Sequence, residues 1–260
     1  MERSADPWTR FWASKGELDE VYPSSPRVLE TLVAWLGAPE KRVLEIGAGT
    51  GRDTAALAAR GHRAVALDSS PAALELVSAA APALTGRGIV GGDGFHLPFA
   101  DGVFDAVFHQ GVLEHFGNPL PFLVENRRVT APGGLLLADV PQTYHPWTLL
   151  KRAALRADRW FAGWETEFTI AELERTVREA GWEIVDTYGD WMVPSLGYRL
   201  IRELAGAAGA SLPRRPPSIA PVRRLRRAVR ERLLAPRASR WVAHTIGVVA
   251  RNPEPYGGEG

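Results

Sequence analysis

The chain has 260 residues, 45% of them hydrophobic and 23% charged, with a formal net charge of +1, which fits one folded domain or at most two. It has no cysteine, so disulfides, zinc–thiolate centres and cysteine nucleophiles are excluded. No apolar run approaches a membrane span and the N-terminus leads into no signal-type apolar segment, so a cytoplasmic protein is the default expectation. The charge is unevenly spread: between Arg199 and Arg240 there are twelve Arg against two Glu, and the remainder is net acidic.

Trp8, Phe11 and Trp12 make an aromatic N-terminal segment. Ser25 as N-cap, Pro26 at the first helical position, the apolar series Leu29, Leu32, Val33 and Leu36, and Gly37 past the end predict an amphipathic helix. Arg42 to Ile46 is a short apolar run, the pattern of a parallel strand covered on both faces. Gly47, Gly49 and Gly51 follow, removing side chains where the backbone must turn and where a ligand can touch it. Thr54 to Arg60 then reads as a helix capped by Gly61. A strand, a glycine loop and a helix in succession form the unit with which doubly wound α/β proteins bind nucleotide-like cofactors.

The spacing of that loop matters. The dinucleotide fingerprint G-x-G-x-x-G places a pyrophosphate on the helix N-terminus. Here the spacing is G-x-G-x-G, Arg52 stands where the third fingerprint glycine would fall, and Glu45 precedes the loop. An acid there repels a pyrophosphate and attracts a cation. The stretch Glu45 to Gly51 resembles motif I of the class I S-adenosylmethionine (SAM)-dependent methyltransferases, E/D-x-G-x-G-x-G.

Further elements extend the resemblance. Arg63 to Leu67 reads as a second strand ending at Asp68, and Ser70 and Pro71 start the next helix. An acid at that strand end can accept two hydrogen bonds from a ribose diol, or can simply cap the helix. Gly88 to Gly91 is a weak third strand. The block Asp93-Gly94-Phe95-His96-Leu97-Pro98-Phe99, then Asp101-Gly102 and the strand Val103 to Phe108, is similar to the next methyltransferase motifs. His109 to Phe116 leaves the fourth strand. Asn118 and Pro119 open a helix to about Thr130, and Ala131-Pro132-Gly133-Gly134 breaks sharply before a fifth strand, Leu135 to Val140. Pro146 to Phe161 has the pattern of an amphipathic helix carrying Trp147, Leu150, Ala154 and Phe161, either a lid or a packing helix. Thr169 and Glu172 form a capping box, with Leu173, Val177 and Ala180 as the apolar stripe. Trp182 to Tyr188 is a sixth strand, and Trp241 to Ala250 the last.

The whole set is similar to the small-molecule branch of class I SAM-dependent methyltransferases, the group that includes quinone-biosynthesis enzymes, over about Val43 to Tyr188 plus the final strand. The resemblance implies a Rossmann-like, doubly wound, mostly parallel seven-stranded sheet with helices on both faces. It implies SAM as cofactor, with Glu45, Gly47, Ala48, Gly49 and Gly51 at the methionyl end, Asp68 and Ser69 at the ribose, and Asp93 and Gly94 at the adenine. Gln110 and Gly111 are further cofactor candidates. His115 is the candidate base, and Tyr22, Tyr144 and His145 are acceptor-side candidates. The acceptor would be a small molecule with an oxygen or nitrogen nucleophile, with a lipid-linked or anionic compound suggested by the arginine-rich insertion. No metal and no nucleic acid are expected. The competing classes are an NAD(P)-dependent oxidoreductase and a SAM-fold scaffold without methyl transfer.

The expected organisation is a single domain over 1–260, with an N-terminal cap (1–37), an Arg-rich insertion (192–240) and a disordered tail (252–260). The resemblance does not cover the insertion. In it, Pro213, Pro216, Pro217 and Pro221 form a stiff linker. Val222, Leu225, Val229 and Leu233 then fall on one helical face among Arg223, Arg224, Arg226, Arg227, Arg230 and Arg232. The run Arg223–Arg232 is a candidate contact for an anionic membrane or substrate. The simplest reading is that this helix docks its apolar stripe on the sheet and solvates its arginines.

Overall fold

The computed structural model describes residues 7–14, 26–84, 86, 88–149, 152, 165–192, 194–213, 220–234 and 236–254. Tyr22, the stretch 153–164, the linker prolines Pro216 and Pro217 and the last six residues lie outside the described residues.

The core is a seven-stranded sheet in the order β3-β2-β1-β4-β5-β7-β6. Its strands are β1 (Arg42–Ile46), β2 (Arg63–Asp68), β3 (Ile89–Gly91), β4 (Phe104–Gln110), β5 (Thr130–Pro141), β6 (Glu183–Asp190) and β7 (Thr245–Arg251). Only β7 runs antiparallel to its neighbours β5 and β6. The doubly wound, mostly parallel sheet expected from the motifs is therefore the observed one. Its ligand-binding edge is the C-terminal edge of β1, β2, β4 and β5, where the strand order reverses.

Helices cover both faces. On one face α2 (Pro26–Leu36) buries Val28, Leu32 and Leu36 against Val43, Phe108, Leu137 and Val249. Beside it lie α3 (Arg52–Ala58) and α4 (Pro71–Ala80), the latter through Val77. On the other face α5 (Leu120–Val129) and α6 (Ile170–Glu179) set Phe122, Leu123, Leu173 and Val177 against Leu44, Val107, Leu136 and Ala138. Each fully buried side chain of this kind contributes about 1.5–3 kcal/mol relative to exposure. Trp182 adds an indole N–H that donates to the Leu123 carbonyl at 3.0 Å, so a large ring is buried with its polar atom satisfied.

Several local expectations shift. The helix after the glycine loop starts at Arg52, two residues earlier than its apolar pattern implied. β5 begins at Thr130 and runs through Pro132-Gly133-Gly134, with an irregular register beside Phe104 and Ala106, so those residues bend the strand without ending it. β7 begins only at Thr245, because Arg237–Trp241 forms a 3-10 turn. A helix not expected from the sequence, α7 (Leu196–Ala207), follows β6 with Ser195 as its N-cap.

The Arg-rich helix α8 (Ala220–Leu234) overturns its simplest reading. It does not dock its apolar stripe: Leu225, Val229 and Leu233 are exposed, while Leu234 is buried and Arg230 is turned inward. The Arg230 guanidinium lies 3.5 Å from Glu30 of α2 and 3.5 Å from Asp190 at the end of β6, and Arg227 also reaches Glu30. Buried and half-buried carboxylates on the sheet side outcompete the leucines for the inward face, since an unpaired buried carboxylate costs more than an exposed leucine.

Candidate active site

The site begins at the turn from β1 into α3. Gly49 sits at φ 52°, a left-handed conformation that costs other residues, and a Cβ there would lie 2.6 Å from the Trp12 ring. That ring belongs to α1 (Pro7–Ala13), so the aromatic N-terminal segment lies directly over the glycine loop. Trp8 of the same helix meets His115 edge-on, ring centroids 4.8 Å apart. One short helix thus spans from the loop to the candidate base.

Acids hold the loop. Asp68 accepts from the Gly49 amide at 2.8 Å through Oδ2 and from the Ser70 amide at 2.9 Å through Oδ1. Glu45 accepts from the Thr54 amide at 3.0 Å and from the Thr54 hydroxyl, satisfying one of the free N–H groups at the start of α3. Glu45, Asp53 and Asp68 are all buried. Burial, helped by the neighbouring Asp53 and opposed by the Thr54 bonds, pushes the Glu45 carboxyl up to about 8. Ser70 also caps α4, so Asp68 ties the turn to the start of that helix.

This donor set favours a cation. Three buried acids meet at one glycine loop. Glu45 stays protonated below about 8, a cation beside it would draw that value down, and the Thr54 amide at the helix N-terminus is already bonded to Glu45. The residues therefore fit the ammonium and sulfonium end of SAM and oppose a dinucleotide pyrophosphate.

Farther along the edge, Asp93 accepts from the Phe95 amide at 2.9 Å and pairs with His96 Nδ1 at 2.8 Å. The His96 bond, then the Phe95 amide, holds its carboxyl below the usual range. Gly94 lies against Phe122, where a Cβ would come within 2.6 Å of the ring. Gln110 ends β4, half-buried, and the Gly111 amide donates to the Asp139 carbonyl at 2.9 Å. Ala48 is buried within the loop, and Ser69 is exposed between Asp68 and Ser70.

Two histidines near β4 differ in kind. His109 is fully buried against Phe122, and burial depresses its imidazole to about 3, so it stays neutral. His115 is half-buried in a 3-10 turn under Trp8. Past the end of β5 Tyr144 is exposed and stacks on Trp241 at 5.8 Å, while His145 meets His244 edge-on at 5.0 Å. His145 Nδ1 accepts from the Trp147 amide at 3.2 Å, and burial lowers its pKa, so this ring is neutral near pH 7. The structure brings Glu45, the loop glycines and Asp68 into one cluster. It places Tyr144 and His145 beyond the end of β5, and Asp93 with Gly94 beyond β3.

Sequence reasoning missed a second polar group. Gln110, Asp139, Gly247 and Tyr188 lie opposite one another across β4, β5, β7 and β6. Asp190 and Thr245 sit two residues on, facing the same side. Gly247 matters here because any side chain would occupy the space of the Tyr188 ring. Asp139 faces the Tyr188 hydroxyl, the Gln110 amide and the Thr245 hydroxyl, with no hydrogen bond of good geometry to its carboxyl oxygens among the described residues. Burial, then the nearby Asp190, pushes Asp139 up to about 8. The signal was present: Asp139 is an acid inside an otherwise apolar strand.

Residues 44–138 match the sequence profile of the methyltransferase-domain family. The demethylmenaquinone methyltransferase of Renibacterium salmoninarum is 39% identical over 108 residues, 42% of this chain and 44% of that protein, so the chain spans less than half the length of such relatives. A chain from the complex of the Haloferax volcanii Trm112 methyltransferase activator with a methyltransferase superposes over 97% of this chain and 100% of its own, with a TM-score of 0.64 at 19% identity. The 1,6-didemethyltoxoflavin-N1-methyltransferase of Burkholderia thailandensis, solved with 1,6-didemethyltoxoflavin and S-adenosylhomocysteine, superposes over 88% of this chain and 77% of its own, with a TM-score of 0.55 at 20% identity. At these identities the two structures speak for the fold alone. Profile, motif order and sheet topology agree: residues 44–138 match the methyltransferase-domain family, and the chain shares the Rossmann-like fold of these structures.

Proposed function

We propose that the chain is a SAM-dependent methyltransferase of the class I small-molecule type, moving a methyl group to an oxygen or nitrogen nucleophile and releasing S-adenosylhomocysteine. The observation that carries this reading is the meeting of Glu45, Asp53 and Asp68 at the glycine loop. When bound, SAM would supply an electrophilic methyl on a sulfonium, so the protein need only align, desolvate and, for a protonated acceptor, remove a proton.

Glu45 and the Gly47–Gly51 loop would hold the methionyl end, Asp68 with Ser69 the ribose, and Asp93 with Gly94 the adenine. Gln110 and Gly111 would border the transferred group. The Trp8–Trp12 helix would shield the loop from water. His115 would take the acceptor's proton, with Tyr144 and His145 lining the acceptor side; Tyr22 is an acceptor-side candidate from the sequence alone. A cytoplasmic location belongs to the same proposal; a contact of Arg223–Arg232 with an anionic substrate or membrane is proposed independently of methyl transfer.

Isothermal titration calorimetry of the whole chain with S-adenosylhomocysteine, and with NADH and NADPH as controls, tests it. Micromolar binding of the adenosyl ligand alone is expected. Preference for a nicotinamide would replace this reading with the oxidoreductase.

A further inference from the structure

Among the described residues, eleven of the twelve large apolar side chains that stand exposed lie in two stretches, 144–149 and 191–242. Apolar exposure on this scale, outside those stretches limited to Val124 among the described residues, marks these segments as candidate contact surfaces. Two helices supply most of them. α7 has no buried residue, yet Leu200, Ile201 and Leu204 share one of its faces. α8 turns Arg230 and Leu234 inward and leaves Leu225, Val229 and Leu233 as a second exposed stripe.

α7 borders the C-terminal edge of β5, and α8 meets the C-terminal end of β6 through Arg230 and Asp190. Arg199 of α7 lies 5.9 Å from the Trp147 ring centroid, and Trp241, just after α8, stacks on Tyr144. Trp191 and Trp241 are partly exposed at this end. The segment from Arg199 to Arg240 carries twelve Arg and two Glu, and Arg224 and Arg232 are exposed beside the α8 stripe.

We propose that the outward faces of α7 and α8 form a surface that lies on an anionic lipid bilayer. Apolar stripes edged by arginine, with partly exposed tryptophans, match the layered chemistry of an interface: acyl chains below, anionic headgroups above. A second copy of the chain fits poorly, because the same arginines would face each other. No described helix is long and apolar enough to cross a membrane, so the contact is with the surface. The proposal concerns faces outside the matched residues 44–138 and does not depend on methyl transfer.

The test is co-sedimentation of the whole chain with vesicles of phosphatidylcholine alone and with about one third phosphatidylglycerol added. The variants are Leu200→Glu/Leu204→Glu and Leu225→Glu/Val229→Glu, all at exposed positions outside the proposed site. The expected result is binding to the anionic vesicles at least about tenfold stronger than to the neutral ones, weakened about tenfold by each pair of substitutions. Equal binding to both vesicles, no binding, or binding that survives both pairs overturns the proposal. So does a wild-type dimer in light scattering that either pair dissociates, which would make the stripes a self-contact. S-adenosylhomocysteine titration of the same samples reports separately on the cofactor site: retained binding in the variants shows an intact fold, and its loss in the wild type would count against methyl transfer only.

Discussion

The Gly49 amide donates to Asp68 Oδ2 at 2.8 Å, tying the turn after β1 to the end of β2. The other Asp68 oxygen takes the Ser70 amide, so one buried carboxylate sets the relation between the glycine loop and the start of α4. The residue proposed for the ribose is also the one that shapes the loop.

Asp68→Ala should therefore weaken S-adenosylhomocysteine by more than about tenfold, since charge-assisted bonds to backbone amides are among the stronger ones. Asp68→Asn, which keeps an acceptor but loses the charge, should fall between the variant and the wild type. Calorimetric titration of the three proteins checks the order. Equal affinities across the set would remove Asp68 from the cofactor site.

Gly49→Ala should destabilise the fold by about 1–3 kcal/mol, because it adds a left-handed strain to a clash with Trp12. In Trp12→Ala the same substitution should cost less, since only the strain remains. A double-mutant cycle by urea denaturation gives the coupling. Additive costs would mean that α1 does not rest on the loop in solution.

Stability should fall as pH rises from about 6.5 to about 8. Glu45 and Asp139, both raised to about 8, hold protons in the folded state that the unfolded chain has already released. Their contribution is complete below the unfolded carboxylate range and is lost as pH rises through the folded values. His109, depressed to about 3, works in the opposite sense: its contribution is lost as pH falls below about 6.5, leaving the carboxylates alone above that. Asp139→Asn should remove up to about 1.4 kcal/mol per pH unit of the slope between pH 6.5 and 8. Denaturation midpoints across that window decide it, and an unchanged slope would assign the titration elsewhere.

Arg230→Met should cost about 3 kcal/mol, because Asp190 is buried and loses the guanidinium 3.5 Å away. Adding Asp190→Asn should recover part of that loss. Chemical denaturation of both proteins measures the difference, and no loss in the single variant would show that α8 is held by Leu234 and its other contacts.

Local chemistry makes much of this protein legible from its amino-acid sequence. The run from Val43 to Gly51 specifies a strand, a turn only glycine adopts cheaply, and a helix start. Thr169 and Glu172 form their reciprocal cap as their spacing implies. The doubly wound, mostly parallel sheet follows from motifs that each sit at a strand end, because such a sheet carries its ligand residues there. These features rest on contacts within a few residues, or on a pattern that repeats along the chain.

What needs tertiary structure is the pairing of distant charges. Nothing near Asp139 in the sequence announces Tyr188 or Thr245, which reach it only because β7 inserts between β5 and β6. The inversion of α8 has the same origin. Its apolar period is plain in the sequence, but the inward face is chosen by Glu30 and Asp190, far away along the chain, whose buried charge requires Arg230 more than the sheet requires another leucine.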